Sequence, residues 1–182
     1  AQVQMGNHAL SEAVGLFTVG TMFPEFQRAD AWRRHGRSVI EQEAQLHSYT
    51  DGSYIQHSFN YHRLMVHDFL WALRLGELNQ ERFDSYVAEI NGRHARFLYD
   101  FQEPTNGRVP TYGQNDGALI LPLDSCGYLD YRPVAHAMHY QVHRERFYEP
   151  GPWDEPLHWL YGGAPRTAPT APPRTSCRYD VG

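Results

Sequence analysis

The chain has 182 residues, with 16 Lys and Arg against 21 Asp and Glu, a formal charge of −5. That length makes one domain with a buried core the default. The acidic balance excludes a nucleic-acid surface, which needs clustered Lys and Arg, and no apolar run long enough for a membrane helix occurs.

The predicted elements begin with an apolar segment, Ala13–Phe23, capped by Ser11-Glu12 and ended by Pro24. Its small residues, Gly15 and Gly20, allow close helix approach. Trp32, Gly36, Val39, Ile40 and Leu46 recur at helical spacing and predict a second helix over Ala29–Ser48. Asp51-Gly52 reads as a turn, and the polar, aromatic run after it passes directly into an apolar helix, His57–Leu75, with Gly76 as its stop. Phe59, Val66, Phe69, Leu70 and Leu73 on one side, with Leu64, Trp71 and Leu75 on the other, predict cover on both faces. Asn79 is expected to cap a long amphipathic helix carrying Phe83, Tyr86, Val87, Ile90, Phe97, Leu98 and Phe101, which Pro104–Gly107 breaks. Four helices in antiparallel succession follow from this pattern.

The second half opens on a polar, glycine-bearing loop, Val109–Gly117, and a short apolar run, Ala118–Leu123. A helix over Pro133–Arg146, with Val134, Ala137, Met138 and Val142 as its buried stripe, and a short helical piece at Leu157–Tyr161 come next. From Gly162 to Arg174 the chain is rich in Pro, Ala and Thr and reads as a linker. The expected division is a helical unit over 1–162 and, over 163–182, a linker with the start of a following domain. An opening on Ala1 without Met and an ending on Tyr179-Asp180-Val181-Gly182 suit a piece of a longer protein. Cys126 and Cys177 either pair or stay free, which leaves the redox compartment open.

Several chemistries lack their signatures: there is no Gly-rich phosphate loop, Gly-x-Ser-x-Gly elbow, His-Glu-x-x-His or Cys-x-x-Cys. His136, His139 and His143 share a helical face at i, i+3 and i+7, but no acidic residue on that face completes a metal set, so they read as a polar stripe on an exposed helix. No metal and no cofactor is expected. Lysine is absent and every basic residue is arginine, a side chain that grips carboxylate or sulfate with two parallel bonds, although a GC-rich genome gives the same bias. Tyr61 and His62 are proton-transfer groups set side by side about one turn into a rigid helix. Asn7-His8 forms a second polar pair just before the first helix. Taken singly, each has a plain reading: Asn7 is a helix cap, Tyr61 a packed aromatic, and Tyr112–Gly117 a turn.

Taken together they resemble one family. Asn7-His8-Ala9-Leu10-Ser11-Glu12-Ala13, then Gln56-His57-Ser58-Phe59-Asn60-Tyr61-His62, then Tyr112-Gly113-Gln114-Asn115-Asp116-Gly117 is similar in residues and order to the heparinase II/III family, which includes heparin, alginate and oligoalginate lyases. The resemblance implies an all-α fold, an incomplete (α/α) toroid of antiparallel helix pairs, here its C-terminal half, leading into a β-sandwich domain of the same parent chain. It implies a periplasmic or secreted enzyme acting on an acidic, uronate-containing polysaccharide by β-elimination. Asn7 and His8 would neutralise the uronate carboxylate, with His8 as base on one epimer, and Tyr61 would act as acid and base. Gln56, His62, Arg63, Tyr112 and Asn115 would bind substrate, with Arg63 or His62 lowering the Tyr61 pKa. A histidine from the β-sandwich would complete the family's site. Two other classes fit the same cleft: a carbohydrate-binding toroid without chemistry, and a glycoside hydrolase, which needs two carboxylates and has Asp116 as its loop candidate.

Overall fold

The computed structural model describes residues 6–170 and residue 179. Six α-helices carry the fold: α1 (Asn7–Met22), α2 (Ala29–Leu46), α3 (Phe59–Leu78), α4 (Ser85–Phe101), α5 (Arg132–His143) and α6 (Glu155–Tyr161). A 3-10 turn, Pro152–Asp154, leads into α6. Among the described residues β-structure is limited to two isolated bridges, so the chain is all-α as expected.

Two glycines set the α1–α2 packing. A Cβ on Gly36 would lie 2.5 Å from the Ala13 carbonyl oxygen, and one on Gly20 would lie 2.5 Å from that of Ala29. Backbone meets backbone there, and only a residue without a side chain fits. Gly15, expected to share this role, has nothing within 4 Å of its Cβ position. All six helices contribute to one core, among them Leu10, Phe17, Ile40, Phe69, Ile90, Leu98, Met138 and Leu157, each at most 2% exposed. Burying each such side chain stabilises the fold by about 1.5–3 kcal/mol. As the two-sided apolar pattern predicts, α3 runs through the middle, packed by α1, α4 and α5.

Several element ends differ from the sequence reading, each for a local reason. α1 begins at Asn7, because Ser11 does not cap: its hydroxyl donates to Asp68 on α3 at 2.6 Å. α3 runs past Gly76 to Leu78, and Asn79 closes it, donating its side-chain amide to the Leu75 carbonyl. Asn79 therefore ends α3, and the cap of α4 is Asp84, which accepts the Tyr86 N–H at 2.8 Å. α5 stops at His143, with Arg144 left-handed (φ 59).

Of the three α5 histidines only His143 is exposed, because a second layer covers His136 and His139. His136 is fully buried and pairs with Asp154 at 2.9 Å. His139 stacks on Phe147, with ring centroids 3.7 Å apart. Arg146 is buried too, its guanidinium 2.7 Å from both Asp154 carboxylate oxygens. Burial alone would raise the Asp154 pKa, but bonds from His136 and Arg146 overcome it and hold the carboxyl at about 2. Among the described residues no three His, Cys, Asp or Glu side chains converge as a metal site. Cys126 is half-buried, its thiol pushed up to about 12 by burial and by Asp130 and Asp124. Cys177 and the Asp180–Gly182 ending lie outside the described residues, as does most of the last third of the expected linker.

Candidate active site

The N-terminal ends of α1 and α3 lie at the same edge of the bundle. Gln56, two residues before the Ser58 cap of α3, donates from its side-chain amide to Asn7 Oδ1 at 2.8 Å. Further along, Ser11 on α1 meets Asp68 on α3. Asn7 lies one turn before Ser11, and Tyr61 lies two turns, about 10 Å, before Asp68. Both residues therefore lie on the same side of the α1–α3 contact, towards its N-terminal edge. His8 is exposed beside Asn7.

The connection between α2 and α3 is folded tightly enough to hold Gln56 in place. Asp51 Oδ1 accepts from both the N–H and the hydroxyl of Ser53, and the Ile55 N–H donates to the His47 carbonyl. Gly52 has φ 88, and its Cβ position is only 2.4 Å from the Arg93 carbonyl oxygen, so the turn is pressed onto α4. Beneath it His94 lies 2.7 Å from the Gly52 carbonyl and 3.1 Å from His62. Burial holds the His94 pKa down to about 4 and that of His62 well below the ordinary imidazole value.

A second long loop, 108–131, covers the start of α3. The Phe59 N–H donates to the Tyr112 carbonyl at 3.3 Å, and the Ser58 hydroxyl donates to the Gln114 carbonyl at 2.5 Å. That same hydroxyl accepts the Tyr61 N–H, so one side chain serves both helix cap and loop anchor. Gly113 (φ 73) permits the contact, since a Cβ there would lie 2.2 Å from the His57 carbonyl oxygen. The loop thereby brings Asp116 to Tyr61, whose hydroxyl donates to Asp116 Oδ2 at 2.7 Å. Asn60 donates to the other carboxylate oxygen at 3.0 Å. The Tyr128 hydroxyl lies 2.7 Å from Asn60 Oδ1 and 2.6 Å from Asn115 Oδ1.

Arg63 holds this loop from below. Only 2% exposed, its guanidinium lies between the Tyr128 and Tyr131 rings, 4.2 and 4.5 Å from their centroids. It donates to the carbonyls of Tyr128 and Ala118 and to Asn60 Oδ1. Two of the expected substrate contacts are thereby corrected: His62 and Arg63 are both interior, because the residues after Tyr61 turn into a helix that is covered all round. Neither lowers the Tyr61 pKa. The hydrogen bond to Asp116 raises it instead, and the same bond lowers that of Asp116.

Gln56, Tyr112 and Asn115 are exposed. Tyr112 and Asn115 line a groove with Asn60, Tyr131 and Arg108. Arg108, Asp116, Asn60 and Tyr128 border Tyr61 or the groove, and of these the sequence singles out only Asp116, with Asn60 inside the quoted motif. The signal for Arg108 is its place in an arginine-only chain next to the Gly-rich loop.

Residues 2–118 match the family described as Heparinase II/III N-terminus. Over 75 residues the chain is 39% identical to a heparin-sulfate lyase of Bacteroides thetaiotaomicron, a match covering 41% of this chain and 11% of that protein. A heparin-sulfate lyase of Bacteroides stercoris is 36% identical over 73 residues, covering 40% of this chain and 11% of the relative. The crystal structure of heparinase III superposes with a TM-score of 0.62 at 25% identity, covering 77% of this chain and 21% of that one. The chain thus matches only about a tenth of the length of these two lyases. The helix pairs are part of an incomplete (α/α) toroid, and the family match spans both Asn7-His8 and the Tyr61–Asp116 pair: the chain belongs to the heparinase II/III family.

Proposed function

We propose that the protein cleaves a uronate-containing polysaccharide by β-elimination, using Asn7, His8 and Tyr61. The observation that carries the reading is the placement of Asn7 and Tyr61 at one edge, the first offering an amide donor and the second a phenol held in its protonated form by Asp116. A proton α to a carboxylate is weakly acidic because its loss adds charge beside an existing anion. A donor aimed at that carboxylate stabilises the developing dianion, and removing one such donor typically lowers kcat about 10²–10³-fold. The positive ends of the α1 and α3 dipoles favour the same charge.

In this reading Asn7 and His8 face the carboxylate, and His8 takes the C5 proton on one epimer. The C5–H electrons form the C4–C5 double bond, the bond from C4 to the glycosidic oxygen breaks, and Tyr61 protonates the departing oxygen. A phenol of raised pKa suits the acid half of this role. On the other epimer Tyr61 would also take the C5 proton, which requires the incoming sugar to displace Asp116 first. Tyr112, Asn115 and Arg108 form the adjoining sugar groove, where Arg108 supplies the positive charge for a carboxylate or sulfate. The heparin-sulfate lyase relatives make heparan sulfate the first polymer to try.

The test follows ultraviolet absorbance of the unsaturated uronate, using full-length protein with heparan sulfate, alginate, hyaluronan and bacterial exopolysaccharides. Absorbance should rise with one polymer and fall about 10²–10⁴-fold in rate for Tyr61→Phe, the span expected for loss of a general acid. Binding without product on every polymer would overturn the lyase in favour of a carbohydrate-binding toroid. Cleavage giving reducing ends without absorbance would identify a hydrolase.

A further inference from the structure

Gln56 was expected to touch sugar, but its side-chain amide points into the protein's own site. Its Nε2 lies 2.8 Å from Asn7 Oδ1 and donates to it. An asparagine amide has one accepting and one donating end. Engaging the oxygen commits the opposite end, Nδ2, to face away from Gln56. We infer that Gln56 is a positioning residue that fixes the amide of Asn7 so that its donor, and not its acceptor, meets the uronate carboxylate. The inference rests on the lyase reading above and adds a residue to it.

The consequence of a wrong orientation is chemical, not merely geometric. With Oδ1 outwards, a partial negative charge would face a carboxylate that is gaining negative charge, and the stabilisation would become repulsion. The backbone on either side of Gln56 is fixed, which sets its side chain beside Asn7. The His57 N–H after it donates to the Tyr54 carbonyl at 3.0 Å, and the Ile55 N–H before it donates to the His47 carbonyl at 3.1 Å. A Cβ on Gly6 would lie 3.1 Å from Gln56 Nε2, so the bare backbone of the α1 cap leaves the space the amide occupies.

Three substitutions separate orientation from simple support: Gln56→Lys keeps a donor, Gln56→Met keeps length alone, and Gln56→Glu presents an acceptor when ionised. An ionised Glu draws Nδ2 of Asn7 towards itself and turns Oδ1 to the substrate. With full-length protein and heparan sulfate, Gln56→Glu should lower kcat about 100-fold at neutral pH, the loss expected for one oxyanion donor. Gln56→Lys should stay within about threefold of wild type and Gln56→Met within about tenfold, because a freely turning amide still presents its donor part of the time. KM should change little in all three. The Glu variant should regain activity relative to wild type as pH falls towards the ordinary Glu pKa of about 4.3, where its carboxyl becomes a donor.

Equal losses in the Glu and Lys variants, with no pH-dependent recovery, would overturn the positioning role while wild-type turnover leaves the lyase reading standing. A wild type that forms no unsaturated product from heparan sulfate or the other three polymer classes would sink the lyase reading and this inference with it.

Discussion

The hydroxyl of Tyr61 donates to Asp116 at 2.7 Å across 55 residues of sequence, pairing the proposed acid with a carboxylate on a separate loop. The pair sets the protonation of the tyrosine: Asp116 raises its pKa, and no positive side chain lowers it. Replacing Asp116 with Asn removes that bond to a charged acceptor, and the Tyr61 pKa should move back towards its ordinary value. The alkaline limb of the kcat–pH profile should then shift to lower pH, with little change in KM. An unshifted limb would place the titrating acid elsewhere.

Arg63 should prove a structural residue with a functional consequence. Arg63→Met leaves the carbonyls of Tyr128 and Ala118 without their donor and removes the cation between two rings. Each orphaned buried acceptor costs about 1–3 kcal/mol. Denaturant melts should register a loss of about 2–4 kcal/mol, and limited proteolysis should cut first within 108–131. Arg63→Lys should recover only part of the loss, because a single ammonium cannot reproduce the planar fork.

Gly36 and Gly15 make a matched pair of substitutions. Gly36→Ala places a methyl carbon 2.5 Å from the Ala13 carbonyl oxygen and should cost about 1–3 kcal/mol as the two helices separate. Because Asn7 lies at the end of α1, activity should fall with it. Gly15→Ala points into open space within a helix and should stabilise by about 0.5–1 kcal/mol. Calorimetry on both variants checks the contrast.

Acid should destabilise the protein from near pH 6.5 downwards. Burial lowers His94 to about 4 and His67 and His139 to about 3. Their stabilising contributions are full above the unfolded imidazole pKa and are lost as pH falls through the folded values, about 3 kcal/mol for His94 alone. Asp68 acts in the opposite sense. Burial raises it to about 6 despite the Ser11 bond, so its contribution is full below pH 4 and is lost as pH rises through 6. His94→Gln should flatten the acid limb of the melting temperature, and Asp68→Asn should raise stability most above pH 6.

The helical periodicities of α2, α3 and α4 were legible because each buries an apolar face, and the family match was legible because Asn7-His8 and Tyr61 sit at helix starts. Boundaries failed where a polar side chain had two employments. Ser11 and Asn79 both look like N-caps, but one bonds across to α3 and the other closes α3 from its C-terminus. His62 and Arg63 looked like cleft residues because they are polar and adjacent to Tyr61. A helix turns about 100° per residue, and on one covered all round the next two side chains point inside. The Asp116 partnership was invisible for a different reason: it depends on the path of a loop whose anchors, Ser58 and Arg63, lie more than 50 residues away.

Those anchors also govern the order in which the molecule assembles. Gln56 meets Asn7 across 49 residues, Ser11 meets Asp68 across 57, and Arg63 meets Tyr128 across 65. Helices form on a microsecond scale from neighbouring residues, whereas contacts of this span wait on chain closure. This edge therefore matures after the helices during refolding. Helical circular dichroism should return first, and the closing of the Tyr128–Arg63–Tyr131 sandwich should follow as a later kinetic phase.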